Sequence, residues 1–296
     1  MNINIQKKVN LAKYSTLGVG GDADYLTVVN NAKELVEALD YGYKSELRTA
    51  ILGGGSNVLI SDEGFRGLVI INRDKQFEVT EDRVTVHGGV ILSALVKNIL
   101  QKKLFGLEFA TGIPGTVGGA VVGNVGANGG QIADVLLSAE VWADGTVTTW
   151  SKADLDYGYR YSKLKGHGGS VVVSATFELH SIVEPRLLAE TEIKITKQIA
   201  ADVLRRNRYY LGRTAGSYFK NPEGERAAAE LIDQLELKGY RIGGAEISPD
   251  HANVFRNAGE ATADDFYKLE MYVVEKVKEE FDILLFPEVV KIGEFK

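Results

Sequence analysis

Over the first 72 positions the apolar residues fall in short runs separated by glycine and polar clusters, a pattern that predicts a small α/β unit. Strands are expected at 25–29, 50–52, 58–60 and 68–71, and a helix over 32–39 behind Asn31 as its cap. Farther on, segments 77–79 and 84–86 flank the turn Glu81-Asp82, and an amphipathic helix is expected over 92–103. A hairpin over 135–150 turns at Ala143-Asp144-Gly145, and 170–179 alternates as one more strand. After Pro185 the pattern becomes that of a long helix, in which Ile195, Ile199 and Val203 repeat before the basic end Arg205, Arg206 and Arg208. This shift marks a domain boundary. Thr262 and Asp265 form a capping-box variant ahead of a helix whose Phe266, Leu269, Val273, Val277 and Phe281 share one face, and 283–292 reads as a strand around Pro287-Glu288.

One window imitates a membrane span, since residues 109–133 are 25 positions without a charge and place Gly115, Gly119 and Gly123 at helix-contact spacing. Eight of those 25 are glycine, Pro114, Asn124 and Asn128 are among them, and there is no leucine. A buried glycine-rich loop system fits that composition better than lipid. Residues 1–17 carry Lys7, Lys8 and Lys13 but no apolar core of signal-peptide length, which reads as a retained, cytoplasmic chain.

Composition narrows the chemistry. At 296 residues and 45% hydrophobic content the chain is long enough for two domains and too apolar for disorder. It has no cysteine, so disulfides, thiolate nucleophiles, iron–sulfur clusters and Cys-ligated zinc are excluded, and four histidines without a metalloprotease spacing leave no expected metal site. With 34 basic and 40 acidic residues, net charge −6, nothing global attracts nucleic acid; a small molecule is the expected partner.

Three glycine clusters are candidates for holding phosphate. Gly18-Val19-Gly20-Gly21-Asp22-Ala23 has the dinucleotide fingerprint, but β-rich sequence follows it where a helix is needed, so a tight turn is expected. Gly53-Gly54-Gly55-Ser56-Asn57 lies between two apolar strands, and is either an anion cradle of backbone N–H groups or a plain hairpin. The third is Thr111-Gly112-Ile113-Pro114-Gly115-Thr116-Val117-Gly118-Gly119-Ala120, extended by Asn124, Gly126, Asn128, Gly129 and Gly130; it can clamp a dinucleotide together with the second cluster or pack helices closely.

The segments Gly53-Gly-Gly-Ser-Asn-Val-Leu-Ile-Ser-Asp62, Gly112-Ile-Pro-Gly-Thr-Val-Gly-Gly-Ala120, Tyr159-Arg-Tyr-Ser162, Ala215-Gly-Ser-Tyr-Phe-Lys-Asn-Pro222, Leu237-Lys-Gly239 and Pro287-Glu-Val289 occur in the order of one known family. On them the chain resembles the UDP-N-acetylenolpyruvoylglucosamine reductase (MurB) family over nearly its whole length. The resemblance implies an α+β fold: an FAD-binding fold of the vanillyl-alcohol-oxidase type in two subdomains, 1–72 and 73–184, then an α/β substrate-binding domain, 185–288, with 289–296 returning to the first. It also implies non-covalent FAD, NADPH as reductant, and reduction of the enolpyruvyl ether of UDP-N-acetylglucosamine to UDP-N-acetylmuramate. The cofactor then carries the redox step.

By the same resemblance, Arg160 stabilises the substrate carboxylate as charge builds, Ser217 donates the proton, and Glu288 acts beside the carboxylate. Gly53, Gly54, Gly55, Ser56, Asn57, Gly112, Ile113, Pro114, Gly115, Gly118 and Gly119 are the implied FAD contacts. Arg208, Asn221 and His251 are implied for the diphosphate and sugar, with Arg205, Arg206 and Arg213 able to supply the same charge and Lys238 open to a structural role. The chain departs from the family pattern at Gly18, where an arginine is frequent, and at Tyr210, where a proline is expected. A monomer is expected. The alternatives are another flavin oxidase or dehydrogenase acting on an alcohol or hydroxy acid, and a non-catalytic flavin-binding module.

Overall fold

A computed structural model of the chain describes residues 3–166, 169–209 and 212–296. Helices and strands are mixed along the sequence, as an α+β fold requires, and divide between two compact units. The first contains Tyr25–Gly54 and Gly67–Val203 with the start of the chain; the second contains Lys7–Asp24, Gly55–Arg66 and Leu204–Lys296.

In the first unit, β1 (Asp22–Val29) leads into α1 (Ala32–Lys44). The Asn31 side chain accepts the N–H of Glu34 at 2.9 Å, and the Glu34 carboxylate accepts that of Asn30 at 2.8 Å, so the helix begins where the sequence places its cap. Its buried Leu35, Ala38 and Leu39 cluster with Val29, Leu68, Ile70, Trp142, Val171 and Val173. β2 (Thr49–Leu52) pairs in parallel with β3 (Phe65–Asn72), which lies beside β1. β4 (Phe77–Thr80), β5 (Arg83–His87), β6 (Leu136–Ala143), β7 (Thr146–Ser151) and β8 (Val171–Glu178) form an antiparallel sheet in the order β7-β6-β8-β5-β4. The β6–β7 turn uses Asp144 at φ 48° and Gly145 at φ 83°, the two left-handed residues that a tight hairpin needs.

The uncharged window 109–133 is broken into α3 (Val117–Gly123), a small antiparallel pair of strands at Gly126–Ala127 and Gly130–Gln131, and the start of a one-turn helix, Ile132–Val135, and among the described residues no helix is long and apolar enough to cross a membrane. α3 and α2 (Leu92–Gln101) contribute Val117, Val121, Leu95 and Ile99 to a core shared with Val84, Val86 and Val172. α4 (Pro185–Tyr209) leaves this unit after Val203. Ile195 is buried, but Val203 is 49% exposed.

In the second unit, β9 (Arg213–Ser217), β10 (Arg241–Ile242), β11 (Ala245–Ile247) and β12 (Val254–Asn257) form an antiparallel sheet ordered β9-β12-β11-β10. α5 (Ala228–Gln234) and α6 (Ala263–Phe281) bury Leu231, Ile232, Phe266, Leu269, Val273 and Val277 in one core with Phe255 and Ile247. The expected box at Thr262 and Asp265 is formed, and the Asp62 carboxylate adds to it by accepting the N–H groups of Ala263 and Asp264, each at 2.9 Å. This gives the acidic end of the first glycine motif a structural purpose. Of the strand expected over 283–292 only Val290–Ile292 forms, pairing in parallel with Val58–Ile60. Pro287 has no N–H for a ladder, and the stretch before Val290 makes one isolated bridge, Phe219 to Pro287.

Thr262→Ala removes the hydroxyl that accepts the Asp265 N–H while Asp62 keeps its two bonds. The unfolding free energy is expected to fall by about 1 kcal/mol, read from urea midpoints at unchanged slope.

Candidate active site

The first glycine loop joins β2 to Val58–Ile60, and these pair with different strands, so the plain-hairpin reading is excluded. On the first unit's side, a Cβ on Gly53 would fall 2.3 Å from the Thr116 hydroxyl oxygen and one on Gly54 would fall 3.0 Å from the Cα of Gly115. The two glycine loops therefore meet backbone to backbone. Arg73 Nη1 donates to the Gly53 carbonyl at 3.2 Å, placing a cation at this loop that the sequence reading passed over. On the second unit's side, Gly55 sits at φ 65° and a Cβ there would be 1.8 Å from the Tyr14 carbonyl oxygen, so no other residue fits.

Among the described residues no protein acceptor takes the N–H groups of Gly54, Gly55 or Ser56. In the second loop the Ile113 N–H donates to Ala110, and those of Val117 and Gly118 donate to Val90 and Gly88. The buried Thr111 hydroxyl has no partner among the described residues. Within the first unit, the bare Gly54 N–H, the orphaned Thr111 hydroxyl and a glycine backbone free of Cβ atoms are donors of the kind that suits the diphosphate of a dinucleotide such as FAD. The turn from Gly18 runs into β1, not a helix, as expected. The Arg213 side chain lies across Gly18, its Cδ 3.0 Å from where a Cβ would stand.

Arg160 belongs to the first unit. Gly158 and Tyr161 exchange backbone hydrogen bonds of 3.1 and 3.2 Å, which puts Arg160 inside a tight turn at φ 53°. That conformation costs a non-glycine residue on the order of 1–3 kcal/mol and persists only when neighbours fix it. They do: Arg160 Nη2 donates to the Gly126 carbonyl at 2.6 Å, Lys165 Nζ to the Arg160 carbonyl at 2.7 Å, and Asn124 Nδ2 to the Gly158 carbonyl at 2.9 Å. The Ser162 hydroxyl donates to Val122 at 2.7 Å. In the same segment the Tyr157 hydroxyl is buried without a partner among the described residues, and burial raises its pKa.

Ser217 and Glu288 belong to the second unit. Ser217 ends β9 after a bulge opposite β12, with Gly216 at φ 80°, an arrangement that re-aims a side chain out of the ladder. Asn253 clamps the residues after it: its carbonyl accepts the Tyr218 N–H at 2.8 Å, its Oδ1 accepts the Phe219 N–H at 2.9 Å, and its Nδ2 donates to the Phe219 carbonyl at 2.9 Å. The Glu288 N–H donates to the Tyr218 carbonyl at 2.8 Å, and Asn57 Nδ2 donates to the Glu288 carbonyl at 3.2 Å. The backbones of Asn57, Tyr218 and Glu288 are thus joined. The Thr16 hydroxyl donates to the Thr214 carbonyl at 2.7 Å, and the Thr16 N–H to that of Gly55 at 2.9 Å, tying the first glycine loop to the strand that carries Ser217.

The weaker implied positions are more scattered. Asn221 Oδ1 accepts the Ala228 N–H at 3.1 Å, so that oxygen serves the start of α5. His251 Nδ1 accepts the Asn253 N–H at 3.2 Å, and the ring lies within the electrostatic reach of Lys238, Arg205 and Asp233. Lys238 pairs with Asp233 at 2.7 Å. Arg208 is exposed on α4, while Tyr210 and the Arg206 side chain lie outside the described residues. Sequence spacing signalled neither Arg73 nor Thr16 nor Asn253, although Asn253 closes the segment that contains His251.

Residues 206–292 match the family model for the UDP-N-acetylenolpyruvoylglucosamine reductase C-terminal domain, and residues 23–151 match the FAD binding domain. A UDP-N-acetylenolpyruvoylglucosamine reductase of Trichormus variabilis is 39% identical over 304 residues, covering 100% of this chain and 88% of the relative. The one from Streptococcus pneumoniae is 39% identical, covering 99% and 96%. The crystal structure of UDP-N-acetylenolpyruvylglucosamine reductase (MurB) from Thermus caldophilus superposes with a TM-score of 0.80 at 34% identity, covering 98% of this chain and 100% of that one.

Burial lowers the His251 pKa from 6.5, outweighing the backbone bond that raises it. Its folded value lies below its unfolded value, so the unfolded chain takes up the proton first, and stability present above pH 6.5 is lost as pH falls toward the folded value. Urea midpoints measured at about pH 7.5 and 5.5 are expected to fall more for the wild type than for His251→Gln.

Proposed function

The chain belongs to the UDP-N-acetylenolpyruvoylglucosamine reductase family, and we propose on that footing that it reduces the enolpyruvyl ether of UDP-N-acetylglucosamine to the lactyl ether, giving UDP-N-acetylmuramate with NADPH as reductant. It is an FAD-containing oxidoreductase acting on a small molecule. When bound, FAD supplies the redox chemistry, accepting hydride from NADPH and passing it to the double bond. The observation that carries the reading is the match over the whole chain; on the sequence motifs we take Arg160, Ser217 and Glu288 as its catalytic residues.

Hydride addition leaves negative charge on the carbon that bears the carboxylate, and the protein has two tasks there: to stabilise the charge and to deliver a proton. We assign the first to Arg160, whose planar, permanently charged fork suits a carboxylate, with Glu288 acting beside that group. Ser217 delivers the proton. A hydroxyl is a weak acid, but the carbanionic intermediate is a strong base, so placement matters more than acidity. The Asn253 clamp and the Gly216 bulge support that role by holding the Ser217 segment rigidly. Gly53, Gly54, Gly55, Ser56 and Asn57 with Gly112, Ile113, Pro114, Gly115, Gly118 and Gly119 are the proposed FAD-binding positions. Arg208, Asn221 and His251 are the proposed contacts for the UDP-sugar. The segments 1–72 and 73–184 serve the flavin and 185–288 the substrate, with 289–296 returning to the first. We also place the enzyme in the cytoplasm as a monomer, supplying peptidoglycan precursors for cell shape and division.

Under anaerobic conditions NADPH is expected to bleach the flavin absorbance of the holoenzyme, and the enolpyruvyl substrate to restore it. Bleaching without recovery would remove the substrate assignment and favour another flavin dehydrogenase. Ser217→Ala is expected to keep the NADPH step and to slow recovery roughly 100-fold or more; unchanged recovery would take Ser217 out of the mechanism.

A further inference from the structure

The second unit buries a carboxylate that the mechanism does not use. Glu270, on α6, has a side chain only 4% exposed. Its Oε1 accepts Lys291 Nζ at 2.6 Å and its Oε2 accepts the Tyr218 hydroxyl at 3.1 Å. Lys291 also lies over the Tyr267 ring, 4.7 Å from its centroid, so the same helix face holds it twice. Tyr218 is fully buried and stacks on Phe255 at 4.2 Å.

The chain positions of these partners give the network its meaning. Tyr218 directly follows Ser217, and Lys291 lies three residues beyond Glu288 on the terminal strand. Those two segments already meet where the Glu288 N–H donates to the Tyr218 carbonyl. Glu270 closes a ring around that bond: helix to Tyr218, Tyr218 to Glu288, then along the terminal strand to Lys291 and back to the helix. A buried ion pair is a weak source of stability, since apolar groups of equal volume fill the same space as well, but its directional bonds fix geometry that apolar packing leaves loose.

We infer that Glu270 is a positioning residue for the reduction: through Tyr218 and Lys291 it sets the placement of Ser217 and Glu288. The inference rests on the roles proposed for those two residues. The positioning serves protonation of the carbon, so the flavin half-reaction with NADPH does not depend on it.

The test replaces the network by apolar groups of similar size, Glu270→Leu with Lys291→Met and Tyr218→Phe, beside Glu270→Gln and Ser217→Ala, each as FAD-loaded holoenzyme. In stopped flow the triple variant is expected to be reduced by NADPH at the wild-type rate and reoxidised by the enolpyruvyl substrate at least 10-fold more slowly. The loss should appear in kcat rather than KM, with a larger solvent deuterium isotope effect as proton delivery becomes limiting; a purely structural role would move none of these selectively. If the triple variant fails to fold, Glu270→Gln, which keeps an acceptor for Tyr218, is expected to slow reoxidation about 3- to 10-fold. Wild-type reoxidation in a folded triple variant, or in Glu270→Gln, while Ser217→Ala is slowed, overturns the inference alone. Wild-type reoxidation in Ser217→Ala overturns the proposed roles and the inference with them.

Discussion

The hydrogen bond from the Glu288 N–H to the Tyr218 carbonyl, 2.8 Å long, is the constraint on which the second unit's chemistry depends. It joins two segments that no local preference would bring together, and the next residues in each direction are held by other parts of the chain. Asn253 fixes Tyr218 and Phe219 from the turn just before β12, Asn57 reaches the Glu288 carbonyl from the first glycine loop, and Val290 donates back to Asn57 at 3.0 Å. Each bond is worth only about 1 kcal/mol net, but a chain of them in a buried setting leaves little freedom for the side chains between.

The first unit solves its problem by a different route, the removal of side chains. Gly53 stands against Thr116 at a distance that excludes a Cβ, Gly54 packs tightly on Gly115, and the Gly54 N–H left bare is the kind of donor that a diphosphate needs. Arg160 carries conformational strain instead. Its left-handed φ is held by bonds that tie the turn over 158–162 to Gly126, Asn124 and Val122, all from the glycine-rich stretch that looks in sequence like a membrane span. That stretch lacks charge because its polar work is done by the backbone.

What could be read from the sequence follows from which interactions are local. The Asn31 cap, the Thr262 box, the one-faced α6 and the Asp144-Gly145 turn each involve residues within four positions of one another, and all are present. The long helix after Pro185 forms as its period predicts, whereas the terminal strand starts later than expected, after Pro287, which cannot donate. Arg73, Thr16, Asn253 and Glu270 gave no signal because their partners lie 20 to 198 positions away. The motifs around Ser217 and Glu288 were legible as a family pattern, but the clamp that fixes their backbones was not, because an Asn or Glu reads the same in sequence whether it bridges two segments or faces water.

The parallel pairing of Val58–Ile60 with Val290–Ile292 also sets an order of events during synthesis. The first unit has all its residues once Val203 has left the ribosome, whereas Lys7–Asp24 and Gly55–Arg66 belong with a unit whose last strand, Val290–Ile292, follows every residue of the first. Until that strand is made, Val58–Ile60 lacks its ladder partner, which leaves Leu59 and Ile60 open to other partners. Assembly of the half that carries Ser217 and Glu288 therefore comes late and is dominated by distant contacts, which makes it the slow and aggregation-exposed phase of folding.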